Sequence, residues 1–378
     1  MKIGLVLDDG LDKPDGVQQY VLSIGQWLSG QDHSVHYLVG ETKRSDIANL
    51  HSLSHNVHVR FNRNHATMPL PAYRHRLKEL LKQEQFDVLH VQMPYSPFLA
   101  GRLIKASAAK TAIVGTFHIL PFSRVNAVGT HLLGLLLRRN LRRFNSVISV
   151  SPAAQAFARS SLGVDSIVIP NAVDVQLFAL GTPLEKYKDG QLTILFLGRL
   201  VERKGCQYLL EAVNNLQASG KFNSAKLIIC GRGPLEAELK KYVAGNNLGK
   251  LVQFTGFVDE EDKANYLASA DIAVFPSTGG ESFGIVLVEA MAAGAGVVLG
   301  GDNPGYRSVL GSQPDLLVTP KDTTSFATHL EKLMNDAALR QRLHVWQQSE
   351  VKKYDVGVVG SQIVHVYEQA LQECSGVR

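Results

Sequence analysis

Short apolar runs alternate with stretches of helical periodicity along the whole chain, and this alternation predicts βαβ units built on parallel sheets. Strands are expected at 2–7, 34–39, 87–91, 111–117, 145–150 and 166–169. Helical spacing marks 16–29, which Gly30 closes, and the basic stretch 73–83. The alternation then restarts. Strands are expected at 192–197, 226–230, 252–255, 272–275 and 296–299, with helices at 206–217, 234–244 and 260–268. Two successive doubly wound α/β sheets imply two Rossmann-like domains facing across a cleft. The boundary is expected near Pro170, giving domains at 1–172 and 173–355, with the polar residues 174–191 as linker. Val359, Ile363, Val366, Tyr367 and Leu371 recur at helical spacing, so the segment 356–378 is expected to pack back on the first domain as a crossover helix.

Size and composition agree with two cores. The chain has 378 residues, of which 45% are hydrophobic, more than one ordinary core accommodates. Its three cysteines, Cys206, Cys230 and Cys374, fit no zinc pattern and read as thiols in a reducing compartment. Met1 leads straight into a strand, and no apolar run reaches the roughly 18 residues that span a bilayer. The expected location is the cytoplasm, peripheral on the inner face of the cell membrane.

Charge changes this picture. Residues 51–160 hold 15 Lys and Arg against three acids, Glu79, Glu84 and Asp87. Such a field attracts an anionic surface. One cluster comprises Arg60, Arg63, Arg74, Arg76, Lys78 and Lys82. The other follows an apolar run and comprises Arg138, Arg139, Arg142 and Arg143. Apolar and then basic is the pattern of a helix at an anionic membrane. A core helix with a solvated basic end is the plain alternative. No aromatic interleaving accompanies the charge, which argues against nucleic acid.

In open α/β sheets ligands bind beyond the carboxyl ends of the strands, so the loops there are where chemistry is expected. The strongest motif is Glu281-Ser282-Phe283-Gly284-Ile285-Val-Leu-Val-Glu289, after the strand at 272–275 and a glycine run. With a helix starting near Phe283, the two carboxylates span about 12 Å at 1.5 Å per residue. That span suits Glu281 on a hexose, backbone N–H groups on a diphosphate, and Glu289 on a ribose. The bland reading is a helix-start acid and a solvated glutamate. Gly198-Arg199 through Lys204 follows the strand at 192–197, and two cations there can clamp a diphosphate leaving group. Gly16 opens the first helix, where a phosphate can approach the backbone. His118 ends the strand at 111–117, where it can hydrogen-bond a sugar; a lone His is more often structural. Gly231 opens a G-x-G turn too short for a dinucleotide fingerprint. Gly256 and Val258 follow a strand where backbone atoms can frame a nucleobase. Asp8 and Asp9, ending the first strand, read as a base or, more simply, a polar loop.

Together these motifs resemble the GT-B glycosyltransferases, specifically the retaining group called family 4. The resemblance rests on Glu281…Glu289, on Gly198-Arg199…Lys204-Gly205, and on Pro170-Asn171-Ala172-Val173-Asp174. Within the group the chain is most similar to phosphatidylinositol mannosyltransferases and related lipid glycosyltransferases, through Gly16-Val17-Gln18, His118 and the basic first domain. The resemblance implies transfer of a hexose (mannose, glucose or galactose) from a GDP- or UDP-sugar to a membrane lipid, without metal or cofactor. It implies that Gly16 meets the donor phosphate, His118 and Glu281 the sugar, Arg199 and Lys204 the diphosphate, and Glu289 the ribose. Asp15, Ala172, Gly294-Ala295-Gly296 and Asn303-Pro304-Gly305-Tyr306 depart from the group's pattern near the donor loops. A soluble sugar acceptor, a non-catalytic nucleotide-sugar-binding membrane protein and a sugar-nucleotide epimerase are the rival readings. A dehydrogenase is disfavoured, because no G-x-G-x-x-G follows a strand.

Overall fold

A computed structural model describes all residues except 13–14, 62–63, 122–123, 223 and 377–378. The side chains of 58–68 and 124–126 also lie outside what is described, so of the first basic cluster Arg63 is excluded and only the backbone of Arg60 is seen. The chain divides into two compact units, 1–172 with 356–378, and 173–355.

The first unit is built on β1 (Lys2–Leu7), β2 (Ser34–Val39), β3 (Leu50–Ser52), an antiparallel hairpin of β4 (Asn56–Phe61) and β5 (Asn64–Pro69), β6 (Val88–Met93), β7 (Ala112–Phe117), β8 (Ser146–Ser149) and β9 (Ile167–Val168). Its sheet is parallel throughout, ordered β3-β2-β1-β6-β7-β8-β9. Every residue of β6 and β7 is buried, including the polar His90, Gln92 and Thr116. The crossovers are α1 (Gly16–Gly30), α2 (Arg74–Glu84), α3 (Ala100–Ala106), α4 (Arg124–Leu141) and α5 (Pro152–Leu162). Asp8 is structural: its carboxylate accepts N–H groups from Ser96 and Ala100 and so caps α3.

The second unit restarts with α6 (Val175–Ala179), β10 (Leu192–Leu197), α7 (Cys206–Ala218), β11 (Ala225–Cys230), α8 (Glu236–Gly245), β12 (Val252–Gly256), α9 (Glu260–Ala268), β13 (Ile272–Phe275), α10 (Ile285–Ala292), β14 (Val297–Gly301), α11 (Pro304–Leu310), β15 (Leu317–Val318), α12 (Thr323–Asn335) and α13 (Ala337–Glu350). Its parallel sheet runs β12-β11-β10-β13-β14-β15. The expected linker 174–191 is instead part of this unit. Asp174 caps α6 through the Leu177 N–H, Tyr187 is buried, and Asp189 pairs with Lys226 at 2.6 Å. Val173 and Asp355 form a parallel bridge, so the two ends of the unit lie side by side.

The last helix, α14 (Val356–Cys374), belongs to the first unit. Val359, Ile363, Val366, Tyr367 and Ala370 enter its core, and Gly360 leaves room for the Trp27 ring. A buried polar network fastens it there. His90 Nδ1 lies 2.7 Å from the Tyr367 hydroxyl and His90 Nε2 lies 2.6 Å from Thr116 Oγ1. Tyr20 packs edge-on against His118, whose Nε2 meets Gln92 Oε1 at 2.7 Å. Burial holds the pKa of both His90 and His118 down to about 3.

Glycines let the loops of the second unit touch backbone to backbone. A Cβ on Gly205, which stands at φ +75°, would lie 1.9 Å from the Pro276 carbonyl, and one on Gly305 would lie 1.9 Å from that of Glu281. Alanine at Gly305 is expected to cost about 1–3 kcal/mol through overpacking. Gly245→Ala, with nothing within 4 Å, is expected to be neutral or mildly stabilising. Urea unfolding of the two variants measures the contrast.

The histidine pair has a consequence for acid stability. The unfolded chain protonates each ring near pH 6.5, the folded chain only near 3. Acid therefore favours unfolding through that window, and stability is expected to fall as pH drops from 6.5 toward 4. Thermal melts of wild type and His90→Asn across that range test it: the variant should show a shallower fall, and parallel curves would remove His90 from the account.

Candidate functional site

The strand order of the second sheet reverses between β10 and β13, which pair directly. Their connections leave in opposite directions, opening a crevice at their carboxyl ends. Two loops border it: residues 198–205 after β10 and 276–284 after β13. Thr278 N–H donates to the Arg203 carbonyl at 2.8 Å, which stitches the loops together.

Glu281 sits in that crevice, its side chain 13% exposed. It precedes the helix that carries Glu289, and that helix starts two residues later than the expected Phe283. Gly284, at φ 121° and ψ 50°, occupies the cap position and α10 begins at Ile285. Glu281 Oε1 meets Arg203 Nη1 at 2.5 Å, Lys204 Nζ at 2.9 Å and Ser277 Oγ at 2.8 Å. Burial alone would raise its pKa, but Lys204 and Arg203 outweigh burial and hold it near 2. Lys204 is pulled below the usual lysine value, chiefly by burial. Arg203 and Arg199 add repulsion, and the one carboxylate it pairs with is shared with Arg203. Arg199 is exposed at the turn after β10. Two cations thus share one carboxylate, with Arg199 exposed on the same loop.

The motif's other carboxylate is buried on α10. Glu289 Oε1 pairs with Lys263 at 2.7 Å, and Lys263 also reaches Glu260 at 3.0 Å. Burial opposes the Lys263 charge, yet Glu289 and Glu260 keep its pKa above the usual value. Between the two carboxylates, Ser282 is half-buried, and Phe283 is buried edge-on against Tyr354. Asn303 explains one departure from the family pattern. Its Oδ1 caps α11 through the Tyr306 N–H, and its Nδ2 holds the Ser277 carbonyl at 3.1 Å.

The other expected donor contacts divide. Gly198 has open space at its Cα, with only Phe196 within 4 Å. Gly231 does not: a Cβ there would lie 2.0 Å from the Gly198 carbonyl, so this glycine serves loop packing. Gly256 ends β12, with Val258 half-buried two residues on. Gly16 opens α1 and is exposed, and His118 is buried at the end of β7; both belong to the first unit. Arg203, Ser277 and Lys263 were not singled out from sequence. Arg203 adjoined a marked lysine, and Lys263 lies one helical turn after Glu260, but neither position advertises its partner.

The basic helices are also in the first unit. Arg74, Arg76 and Lys78 are exposed on α2, and Arg138, Arg139 and Arg142 at the end of α4. Arg143 instead bonds the Ala108 carbonyl at 3.2 Å. The helix α4 is not a core helix with a basic end. Val128, Leu132, Leu135 and Leu136 are 60%, 60%, 59% and 69% exposed. At 100° per residue they share one face, which continues into Arg139, while Leu137 and Leu141 turn inward. Among the described residues no helix is long and apolar enough to cross a membrane.

Comparison with known proteins agrees with this architecture. A family model described as "Glycosyl transferases group 1" matches residues 185–345, and one described as "Glycosyltransferase Family 4" matches residues 14–177. A phosphatidyl-myo-inositol mannosyltransferase of Mycolicibacterium smegmatis is 36% identical over 97% of this chain and 94% of its own. A GDP-mannose-dependent monoacylated alpha-(1-6)-phosphatidylinositol monomannoside mannosyltransferase of Corynebacterium glutamicum is 24% identical over 96% of this chain and 97% of its own. The solved sucrose-phosphate synthase of Thermosynechococcus elongatus has the same fold, with a TM-score of 0.75 at 20% identity over 99% of this chain and 100% of that one. The chain therefore belongs to the GT-B glycosyltransferases, in the group that joins a family 4 first domain to a group 1 second domain.

Proposed function

We propose that the chain is a retaining mannosyltransferase that moves mannose from GDP-mannose to an inositol phospholipid at a membrane surface. The observation that carries the reading is the charge balance around Glu281. Arg203 and Lys204 share the one carboxylate of Glu281, an excess of one positive charge, and Arg199 stands exposed on the same loop, which suits a diphosphate leaving group. The mannosyl group, the guanosine donor and the lipid acceptor follow the names of the relatives in M. smegmatis and C. glutamicum.

On this reading the diphosphate lies against Gly198, Arg199, Lys204 and the N–H groups of Gly284 and Ile285. Glu281 accepts hydroxyls of the sugar, Glu289 those of the ribose, and Gly256 and Val258 frame the base. Glu281 is ionised at every physiological pH, so it acts as an acceptor and not as a proton donor. As the bond from the anomeric carbon to the phosphate oxygen breaks, charge grows on the diphosphate, where the cations stabilise it. The acceptor oxygen attacks from the same face, and its proton passes to the departing phosphate. His118, neutral through burial, contributes a hydrogen bond to the sugar and not a charge. Gly16 meets the donor from the first unit. No step calls for a metal or cofactor.

The exposed stripe of α4 supports the membrane side of the reading. Four large apolar side chains on one face, ending in Arg138, Arg139 and Arg142, match an acyl boundary beneath anionic headgroups.

Two outcomes are expected. Glu281→Gln and Lys204→Ala should each lower mannosyl transfer from GDP-mannose by at least about 100-fold while the far-ultraviolet spectrum is kept; normal turnover in either would sink the site assignment. Leu132→Gln with Leu136→Gln should weaken sedimentation with phosphatidylinositol-containing vesicles by about 10-fold and leave GDP binding unchanged. Vesicle binding at the wild-type level would reject α4 as the membrane face.

A further inference from the structure

A neutral histidine has one ring nitrogen that donates and one that accepts, so what His118 offers a ligand depends on which of the two carries the hydrogen. The surroundings of the ring decide it. Strands β6 and β7 pair in parallel with Gln92 opposite Thr116, and the His118 N–H donates to the Met93 carbonyl at 3.1 Å. Residues two apart share a face of a sheet, so His90 and Gln92 from β6 stand beside Thr116 and His118 from β7. Gln92 is 4% exposed and His118 7%. Gln92 Oε1 lies 2.7 Å from His118 Nε2, and the other end of the amide donates from Nε2 to the His90 carbonyl at 3.5 Å. Turning the amide over would set its oxygen against that carbonyl, acceptor against acceptor, so the flipped orientation is disfavoured. An amide oxygen only accepts, which places the hydrogen on His118 Nε2 and the lone pair on Nδ1. Rotation of the ring is restrained as well. Tyr20 packs edge-on against it with ring centres 4.8 Å apart, and Tyr20 and His90 are themselves held by Thr116 Oγ1 at 3.4 and 2.6 Å.

With the ring neutral, Nδ1 is an acceptor and nothing else. It takes a hydrogen bond from a hydroxyl and gains nothing from a phosphate oxygen, a carboxylate or a carbon-bound hydrogen. A hydrogen on Nδ1 would reverse this and draw the ring toward phosphate oxygens. We propose that Gln92 is a positioning residue of the transfer reaction: it locks His118 in the Nε2–H tautomer, so that Nδ1 receives a hydrogen bond from one hydroxyl of the transferred sugar. The role rests on the reading of His118 as a sugar contact. It adds a basis for specificity, because the site then requires a hydroxyl at one position of the sugar and rejects a donor in which hydrogen or a carboxylate stands there.

The test compares the full chain, its histidines labelled with nitrogen-15, with Gln92→Leu, which is similar in size but accepts no hydrogen bond. Long-range proton–nitrogen spectra distinguish the tautomers, and His118→Ala identifies the His118 signals. The wild type is expected to carry the hydrogen on Nε2, and Gln92→Leu to move it to Nδ1. Hydrogen on Nδ1 in the wild type would overturn the proposal, with no turnover and no folded variant of Gln92 required. Transfer is then measured from GDP-mannose and from its monodeoxy analogues. Gln92→Leu is expected to lose at least about 10-fold in kcat/KM with GDP-mannose, the worth of one hydrogen bond, and to bind GDP as the wild type does. One monodeoxy analogue should cost the wild type at least about 10-fold and Gln92→Leu less than about 3-fold, because both changes remove the same bond. Equal losses for every analogue in the two proteins would make Gln92 structural only and overturn the positioning role. Normal turnover in Gln92→Leu beside a loss in His118→Ala would overturn that role alone, whereas normal turnover in His118→Ala would remove the sugar contact beneath it.

Discussion

In a purely parallel sheet every crossover leaves from the carboxyl end of a strand, and where the strand order reverses two neighbouring connections must part. The rest of the second unit is arranged around that one constraint. β10 and β13 are hydrogen-bonded neighbours, so the loops that follow them emerge side by side although about 80 residues separate them in sequence. Arg203 and Lys204 come from one loop and Glu281 from the other. Their ion pairs are a product of topology, and each loop has its conformation fixed by the other. Gly205 and Gly305 permit the close approach, Ser277 and Asn303 satisfy the backbone it exposes, and Gly284 then starts α10 beside the charged cluster.

Much of this was legible in the order of residues. The restart of the apolar alternation near residue 192 separates two sheets, and the glutamates of the motif at 281–289 stand out because an acid beside a run such as Ile285–Val288 needs a partner. What sequence could not name was the partner. Lys263 and Arg203 reach their carboxylates across 26 and 78 positions, contacts that only the register of the strands creates. The same limit explains the glycines. Gly231 reads locally as a place for a ligand to approach, whereas the space it leaves is filled by the carbonyl of Gly198. The hairpin β4–β5 escaped notice for a different reason. Val57, Val59 and Phe61 do alternate with polar residues as a strand requires, but Arg60 and Arg63 made the segment read only as part of a basic region.

The two units divide charge as they divide structure. In the second, cations are enclosed with carboxylates, Arg203 and Lys204 with Glu281 and Lys263 with Glu289. In the first, cations are left on helix surfaces, and α4 carries an outward apolar stripe besides the face it buries. A helix with that arrangement is unfavourable in water, and the cost is consistent with a surface that spends its working time against something else.

The placement of α14 bears on how the chain is made. The strands of the first unit are complete by residue 168, yet Ile363, Tyr367 and their neighbours, which close its core and satisfy His90, follow the entire second unit. At the usual synthesis rate of about 5–20 residues per second, the first unit waits roughly 10–40 s on the ribosome with that core face open. The second unit, whose ends meet at Val173 and Asp355, has no such dependence and can fold as an insert while its host is unfinished. The newborn chain can therefore complete its middle before its beginning, and the half that carries the outward leucines is also the half whose core stays open longest during synthesis.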